Sequence, residues 1–244
     1  MSDIAAYNSA NEYTLYQSLR PDYTAAIATT LAAALQQTAE KRKSQKPKRL
    51  SVADFCSGTG TNTKRFAQSV GGIERATFID TNAQFLAKAL TSNIQAEILD
   101  VRRQDILTAK FAAEYDLVLS VFAYHHVPDK NKSQYLTIAR DCLKPDGTLI
   151  LTEIYLGTKS LCQRYYDALL DAIPVEKRTA GLEQFLRETA QSTDFEFKVH
   201  KQFADAQIQS LGLTIVDEKK IWPTIPMKDL PNDAGTFVQV IKIK

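Results

Sequence analysis

The feature that most constrains the fold is an apolar stretch that runs directly into a turn of small residues. Residues 52–55 (Val-Ala-Asp-Phe) are followed by Cys-Ser-Gly-Thr-Gly-Thr at 56–61, and a helical pattern begins at Asn62. Glycines in such a turn let a ligand approach the backbone, and the helix begins with unpaired N–H groups. This pattern predicts a site for an anionic, nucleotide-like ligand, although an ordinary strand-to-helix turn remains the alternative.

Short apolar runs then alternate with helical segments, which is typical of βαβ units and a parallel sheet. The expected strands are 50–55, 76–79, 96–99, 117–122 and 148–152. The expected helices are 23–36, 62–70, 83–90, 132–143, 160–173 and 203–211, with an amphipathic segment at 181–200. Residues 144–147 (Lys-Pro-Asp-Gly) predict a turn in which Gly147 has a positive φ. Two β-rich runs, 213–221 and 236–243, suit an antiparallel pair at the sheet edge.

Acidic residues follow the next two strands. Asp80 ends the second strand, about twenty residues after the glycine turn, where a carboxylate can accept hydrogen bonds from ribose hydroxyls. The alternative is that Asp80 or Thr81 caps the helix at 83–90. Asp105 follows the third strand, where it can accept an adenine amino group while Ile106 packs on the ring; as an alternative, Asp105 caps a turn. Ligands bind parallel sheets at the carboxyl ends of their strands, so we expect these carboxylates to share one site.

The ordered motifs resemble those of class I S-adenosylmethionine-dependent methyltransferases over residues 50 to 155. They are Asp-Phe-Cys-Ser-Gly-Thr-Gly at 54–60, Phe-Ile-Asp at 78–80, Asp-Ile at 105–106, Tyr-Asp-Leu-Val-Leu-Ser at 115–120 and Leu-Lys-Pro-Asp-Gly-Thr-Leu-Ile-Leu at 143–151. The resemblance implies a Rossmann-like α/β fold with a seven-stranded, mostly parallel sheet, an antiparallel terminal strand, an N-terminal helical lid and an inserted cap. It implies S-adenosylmethionine as the cofactor.

The resemblance also implies the cofactor contacts. Gly58 and Gly60 would line the methionine moiety, Asp80 would hold the ribose, and Asp105 with Ile106 would receive the adenine. Asp54 would orient the loop or reach the amino group. The remaining predicted cofactor contacts in the core are Ser57, Thr81 and Ser120. Cys56 occupies a position where the family often has glycine, which we expect to alter the loop geometry slightly.

The fourth strand ends in Phe-Ala-Tyr-His-His-Val-Pro-Asp at 122–129, which resembles the strand exit beside the transferred methyl in small-molecule methyltransferases. Histidine suits proton removal, and His126 is the predicted base, with Tyr124 and Tyr155 as further catalytic candidates. The alternative is that a histidine of this pair only packs or fixes the loop. Methyl transfer itself chiefly needs alignment and exclusion of water, so a base is optional.

The N-terminal segment 13–23 resembles the lid that covers the cofactor in many relatives. Tyr16 could stabilise a sulfonium through cation–π attraction, and Arg20 could pair with the methionine carboxylate. The alternative is that Tyr16 and Tyr23 only dock the first helix. Aromatic residues after the fifth strand are either core or a substrate roof, which would favour a small, partly hydrophobic acceptor. They are Tyr165, Tyr166, Phe185, Phe195 and Phe197.

Length and composition predict one domain. The chain has 244 residues, 44% hydrophobic and 24% charged, which suffices for one core with a lid. We divide it into a lid (1–47), a cofactor-binding core (48–155), a cap insertion (156–202) and a terminal helix with a β-hairpin (203–244). The net charge of +2 disfavours a nucleic-acid partner, and the basic tract 41–49 is expected to be a solvated linker.

The cysteines and the N-terminal residues indicate where the protein acts and whether it holds a metal. The three cysteines lack the spacing of a zinc site or a disulfide framework, so we expect no metal and a reducing compartment. The first ten residues carry no apolar run, and no stretch approaches the length of a membrane span, so we expect a cytoplasmic protein.

Four alternatives to a small-molecule methyltransferase stay open. A nicotinamide-dependent dehydrogenase would need a third small residue where the chain has Thr63. An enzyme that cleaves another carbon–sulfur bond of S-adenosylmethionine, by cyclisation or aminocarboxypropyl transfer, would release methylthioadenosine instead of S-adenosylhomocysteine. A transfer RNA or protein modifier is favoured only by the basic tract. A regulator that binds the cofactor without catalysis is the fourth.

Overall fold

The computed structural model describes residues 10–44, 49–192, 196–227 and 229–244, with the side chains of 10–13 and 40–44 outside that description. The strands are β1 (Ser51–Phe55), β2 (Ile73–Asp80), β3 (Ala96–Arg103), β4 (Tyr115–Val121), β5 (Leu143–Tyr155), β6 (Leu213–Trp222) and β7 (Gly235–Ile243). The α-helices are α1 (Ala10–Leu19), α2 (Pro21–Ser44), α3 (Thr61–Ser69), α4 (Ala83–Leu90), α5 (Lys132–Cys142), α6 (Lys159–Ala172), α7 (Ala180–Gln191) and α8 (Lys201–Ser210).

Within the described ranges, seven strands form one sheet in the order β3-β2-β1-β4-β5-β7-β6. Strands β1 to β5 pair in parallel, and β7 runs antiparallel to both of its neighbours. The predicted seven-stranded, mostly parallel, Rossmann-like sheet is confirmed. Strands β2 and β3 lie on one side of β1, and β4 lies on its other side, so the strand order reverses between β1 and β4. Ligands of open α/β sheets bind at such a switch point.

Apolar side chains cover both faces of the sheet. On one face, Phe66 of α3 and Leu86 of α4 pack with strand residues such as Phe78. On the other face, a separate apolar cluster includes Tyr135 of α5 and Ile208 of α8. Burial on both faces explains why all five residues of β1 are buried and its sequence shows no alternation of apolar and polar residues. None of the helices in the described ranges combines the length and the apolar character that a membrane-spanning helix requires.

The lid and the cap form a third apolar cluster above the sheet. Its members are buried residues of α6, α7 and the end of β5, with Tyr16 and Leu19 of α1 packed against them. The predicted helix at 23–36 is longer, because α2 extends to Ser44 and so includes residues 41–44 of the basic tract. The part of that tract at 45–48 lies outside the described residues, as do residues 1–9 of the predicted lid and Phe195 of the predicted roof.

The turn predicted at 144–147 lies inside β5 and works differently from the prediction. Tyr115 of β4 pairs with Leu143, and Leu117 pairs with Thr148, so the four residues 144–147 of β5 stand opposite the single residue Asp116. Gly147 is absent from the described glycines with positive φ. A Cβ at Gly147 would lie 2.9 Å from both Leu143 Cδ2 and the Lys144 carbonyl oxygen. Glycine is required here because there is no room for a Cβ, and not because of the predicted positive φ.

The predicted amphipathic segment at 181–200 is a helix only in its first part. Helix α7 ends at Gln191, and residues 196–200, which we call the roof segment, have no regular secondary structure. The backbone N–H of Phe197 donates a hydrogen bond to the carbonyl oxygen of His125, 2.6 Å away. This bond holds the roof segment over the end of β4.

Candidate functional site

The glycine turn begins where β1 ends. Cys56, Gly58 and Gly60 all have positive φ, at 52°, 54° and 69°. The Ser57 N–H donates to the carbonyl oxygen of Ile79 at the end of β2, and the Gly60 N–H donates to that of Ser57. The turn is therefore fixed by backbone bonds at the carboxyl ends of two neighbouring strands. Cys56 adopts a conformation that a residue with a Cβ rarely takes, so the thiol position is strained.

The two glycines of the turn serve different purposes. A Cβ at Gly58 would meet no atom within 4 Å, so Gly58 borders open space. A Cβ at Gly60 would lie 3.1 Å from the Phe78 ring and 3.3 Å from Ala89. The bare Cα of Gly60 lets α3 pack closely on β2 and α4, and its contact with the methionine moiety stays a prediction. The open space beside Gly58 agrees with its predicted contact with a ligand.

Asp80 connects the glycine turn to the following loop. One carboxylate oxygen accepts a hydrogen bond from the Gly58 N–H, and the other accepts from the Asn82 N–H, both at 2.8 Å. The cap of α4 is Asn82 and not Asp80 or Thr81, which is exposed. Burial raises the pKa of Asp80 although these backbone N–H groups oppose the shift. A carboxylate has about four acceptor positions, so Asp80 keeps capacity for a further donor.

Three other predicted cofactor residues face different surroundings. Asp54 is buried and accepts from the Thr63 hydroxyl at 2.8 Å, and burial raises its pKa to about 7. Asp54 thus bonds to the first turn of α3, directly after the loop that it is predicted to orient. The Ser120 hydroxyl lies 2.6 Å from that of Tyr135 and is directed toward α5. The buried Ser57 hydroxyl has no hydrogen-bond partner among the described residues, which is the condition of a group that awaits a ligand.

Asp105 caps a single turn of 3-10 helix, Ile106–Thr108, by accepting from the Leu107 N–H at 2.9 Å. The Ile106 side chain is buried in the core. Burial, assisted by the charges of Asp80, Asp105 and Asp54, raises the pKa of the Cys56 thiol. Asp54, Asp80 and Asp105 therefore all act on the Cys56 thiol, which agrees with the expectation that these carboxylates share one site.

The end of β4 presents two histidines in a single turn of 3-10 helix, Tyr124–His126. The His125 side chain is buried, and that of His126 is 33% exposed. Glu153 of β5 accepts from the His125 backbone N–H at 3.0 Å and lies 2.5 Å from His125 Nδ1. The two imidazole rings are 4.1 Å apart between centroids. His126 is thus the more accessible member of the pair.

The roof segment adds charged side chains above these histidines. Glu196 forms an ion pair with Lys198, and both side chains are almost fully buried. Lys132 of α5 donates to the Tyr124 carbonyl oxygen at 2.8 Å. We name the whole group the charged cluster, and its members are His125, His126, Lys132, Glu153, Glu196 and Lys198.

The pKa values in the charged cluster follow from burial and pairing. Burial lowers the pKa of His125 well below its ordinary value and raises that of Glu153. Burial also opposes the charge of Glu196, but Lys198 and the histidines outweigh it and hold the pKa of Glu196 below its ordinary value. Burial lowers the pKa of Lys132 to about 8. Sequence reasoning missed the three partners Lys132, Glu196 and Lys198, since no local pattern links them to the histidines.

Tyr124 and Tyr155 do not face the site. Both are 1% exposed, and their hydroxyls donate to Gln207 at 2.8 Å and Gln239 at 2.6 Å. These glutamines belong to α8 and β7, on the opposite side from the glycine turn along the sheet. The prediction that the two tyrosines are catalytic is not supported, because their hydroxyls are buried and already bonded.

The lid lies against the cap and the end of β4. Arg20 donates to both carboxylate oxygens of Asp22, at 3.1 and 2.7 Å, so its guanidinium is engaged inside the protein and not turned outward to a cofactor carboxylate. Tyr16 stacks on Phe185 of α7, with 5.7 Å between centroids. The Tyr165 hydroxyl of α6 donates to Asp22 at 2.7 Å. These contacts join the lid to the cap.

Residues 52–147 match the profile of a family described as a methyltransferase domain. This range contains the glycine turn, Asp80, Asp105 and the two histidines at the end of β4. No curated protein matches the chain in sequence. The matched range agrees with the resemblance of the motifs to those of class I methyltransferases.

Solved structures show the same fold. Magnesium protoporphyrin IX methyltransferase from Synechocystis PCC 6803, with bound S-adenosylhomocysteine, is 14% identical, with a TM-score of 0.57 over 90% of this chain and 84% of that one. The 1,6-didemethyltoxoflavin-N1-methyltransferase of Burkholderia thailandensis is 14% identical, with a TM-score of 0.56 over 90% and 79%. Mitomycin 7-O-methyltransferase is 14% identical, with a TM-score of 0.54 over 80% of this chain. This chain spans only 49% of that last protein.

Proposed function

We propose that this class I methyltransferase-domain chain transfers the methyl group of S-adenosylmethionine to a nitrogen, oxygen or carbon atom of a small molecule. The observation that carries the proposal is the bond from the Gly58 N–H to Asp80 at 2.8 Å, which holds the glycine turn open beside a carboxylate with acceptor capacity left. This arrangement lies within the range that matches the methyltransferase profile.

The residues at the glycine turn fit the proposed cofactor. Gly58 borders open space, and the buried Ser57 hydroxyl lacks a partner among the described residues. Asp80 would accept from the ribose hydroxyls, and Asp105 would accept from the adenine amino group. Bound S-adenosylmethionine supplies an electrophilic methyl on a cationic sulfonium. The chain's part is to orient that methyl and to exclude water around it.

The acceptor would lie between the end of β4 and the cap. The side chain of His126 is partly exposed, and aromatic rings of the lid stack on the end of β4 and on the cap: Tyr23 stacks on Phe122 at 5.2 Å, and Tyr16 stacks on Phe185. An aromatic enclosure favours a small, partly hydrophobic acceptor. The three similar structures are named for methylation of a porphyrin, a toxoflavin precursor and a mitomycin, which supports a small-molecule acceptor for this chain as well.

We also propose that the chain acts in the cytoplasm and has no nucleic-acid partner. Its three cysteines are free thiols in the structure, and a net charge of +2 supplies no strong field for phosphate. Weak, salt-independent retention on RNA would agree with this proposal, whereas salt-dependent retention would contradict it.

Mass spectrometry of the purified protein with S-adenosylmethionine tests the reaction. We expect the cofactor to remain intact when the protein is incubated with it alone, and S-adenosylhomocysteine to accumulate when amines, phenols or acids are added. Methylthioadenosine in the absence of an acceptor would overturn the proposal, since it would show cleavage of a different carbon–sulfur bond. Failure of the protein to bind S-adenosylmethionine in calorimetry would also overturn it.

A further inference from the structure

Three potential metal ligands of the charged cluster converge on one point. His125 Nε2 lies 3.7 Å from Glu196 Oε2, and His126 Nδ1 lies 4.0 Å from Glu196 Oε1. The ligand atoms of these three residues all lie within 4.8 Å of one another. Small side-chain movements would bring them to the roughly 2 Å from a shared ion that zinc ligands require.

Glu153 supplies a second, independent observation. Its carboxylate accepts from the backbone N–H groups of His125 and Ile154, so it acts as an acceptor, and it faces His125 Nδ1 at 2.5 Å. His125 therefore carries its proton on Nδ1 and presents the lone pair of Nε2 to Glu196. Two acceptors thus face each other 3.7 Å apart. A carboxylate that fixes one nitrogen of a histidine while the other binds an ion is the usual outer support of a metal-bound histidine.

We infer that His125 Nε2, His126 Nδ1 and Glu196 bind a divalent transition-metal ion, with zinc as the probe. Imidazole nitrogens suit zinc and its neighbours, whereas magnesium and calcium prefer oxygen ligands. Two histidines and one glutamate leave a fourth position open, as in catalytic zinc sites. The site lies at the end of β4, on the side where the acceptor would enter.

The neighbouring charges decide what occupies the open position. Lys198 pairs with Glu196 Oε2, which leaves Oε1, the oxygen nearer His126, for the ion. Without the ion, the carboxylates of Glu153 and Glu196 are balanced by Lys132 and Lys198. A divalent ion adds two positive charges, so the open position favours an anionic oxygen. On the proposed methyl transfer, the acceptor would be a hydroxyl or acid that binds the ion through oxygen and releases its proton to solvent, while His126 serves as a ligand and not as a base.

Zinc binding can be measured without cofactor or acceptor. Tag-free protein is stripped with a chelator and titrated with zinc chloride in a calorimeter, and a cobalt-substituted sample is examined by visible spectroscopy. We expect one zinc ion per chain and cobalt bands typical of a four-coordinate nitrogen and oxygen site. His126→Ala, at a partly exposed position, is expected to weaken binding at least about 100-fold, and Glu153→Gln about 10- to 100-fold. The third histidine, His200, lies outside the cluster, and His200→Ala should bind zinc as the unaltered chain does.

Several results would overturn the inference. The site does not exist if the unaltered chain takes up no stoichiometric zinc, or if His126→Ala binds zinc as tightly as the unaltered chain. An intense near-ultraviolet band in the cobalt sample would show thiolate ligation and place the ion elsewhere, because the three cysteines are not ligands here. These outcomes leave the proposed methyl transfer intact, since the mass spectrometric assay tests that reaction separately.

Discussion

The glycine turn and the charged cluster lie at the ends of neighbouring strands, but they are built in different ways. Residues 54–82 supply the whole turn, and backbone N–H groups hold its key carboxylate, Asp80. The charged cluster takes its members from the turn after β4, from β5, from α5 and from the roof segment, and buried side-chain charges balance one another. The first region depends on local conformation, whereas the second depends on the completed tertiary structure. Removal of a single charge should therefore lower the free energy of unfolding more in the charged cluster than at the glycine turn.

Lys198→Met tests that difference with the largest expected effect. The substitution leaves Glu196 buried without its partner, and breaking a buried ion pair costs about 3 to 5 kcal/mol of unfolding free energy. Urea denaturation measures the loss. Lys219→Met on the exposed face of β6 is the matched control and should change stability by less than about 0.5 kcal/mol. Equal, small losses in both variants would mean that the roof segment contributes little to the fold.

Asp54→Asn tests the buried carboxylate under the turn. Burial raises its pKa in the folded chain from 3.8 to about 7, so the folded state binds the proton more tightly than the unfolded state does. The stabilisation is complete below pH 4 and is lost as the pH rises through 7. Between these values, the unaltered chain should lose on the order of 3 kcal/mol relative to the variant, which does not titrate. Parallel stability curves would contradict this expectation.

Asp80→Ala tests the turn through ligand affinity. Loss of the carboxylate removes hydrogen bonds to the ribose and weakens the tie to Gly58, so we expect S-adenosylmethionine to bind at least tenfold more weakly, about 1.4 kcal/mol. Isothermal calorimetry measures the change. Asn82→Ala is the control, because it removes the helix cap at a cost of about 1 kcal/mol in stability and should leave affinity within about twofold. Unchanged affinity in Asp80→Ala would remove this residue from the cofactor site.

Cys56→Gly has the smallest expected effect. Cys56 has a φ of 52°, a conformation that costs a residue with a Cβ roughly 1 to 2 kcal/mol, while glycine adds chain entropy to the unfolded state. We expect a net gain of about 1 kcal/mol in thermal or urea unfolding. Asn93→Gly, at another residue with positive φ, should gain less, because asparagine tolerates this conformation. A loss of stability in Cys56→Gly would show that packing of the thiol outweighs the strain.

The same contrast explains what the sequence could predict. The strand-turn-helix pattern and the acidic residues that follow successive strands depend on neighbours in the chain, so the sheet, its antiparallel strand and the grouping of Asp54, Asp80 and Asp105 followed from local reasoning. The distinct purpose of Gly60 did not, because the atoms it approaches, Phe78 and Ala89, belong to other elements.

Predictions at the end of β4 succeeded less well for the same reason. The motif at 122–129 located the histidines, but nothing near it indicates that Glu196 and Lys198, about seventy residues later, pack over them. Tyr124 follows β4 and Tyr155 ends β5, positions that predict catalytic roles, yet their side chains extend into the core. The position of a residue at a strand end predicts its neighbourhood, but the side-chain direction is settled by packing partners.

The bond from Tyr165 to Asp22 bears on how this scaffold can be re-engineered. Asp22 belongs to the lid and Tyr165 to the cap, although more than a hundred residues separate them, and both are buried. A chimera that took a new cap but kept this lid would lose the hydroxyl donor to Asp22 and leave Arg20 as its remaining side-chain partner. Recombination that aims at a new acceptor range should therefore transfer residues of the lid and the cap as one block, even though they are remote in the gene.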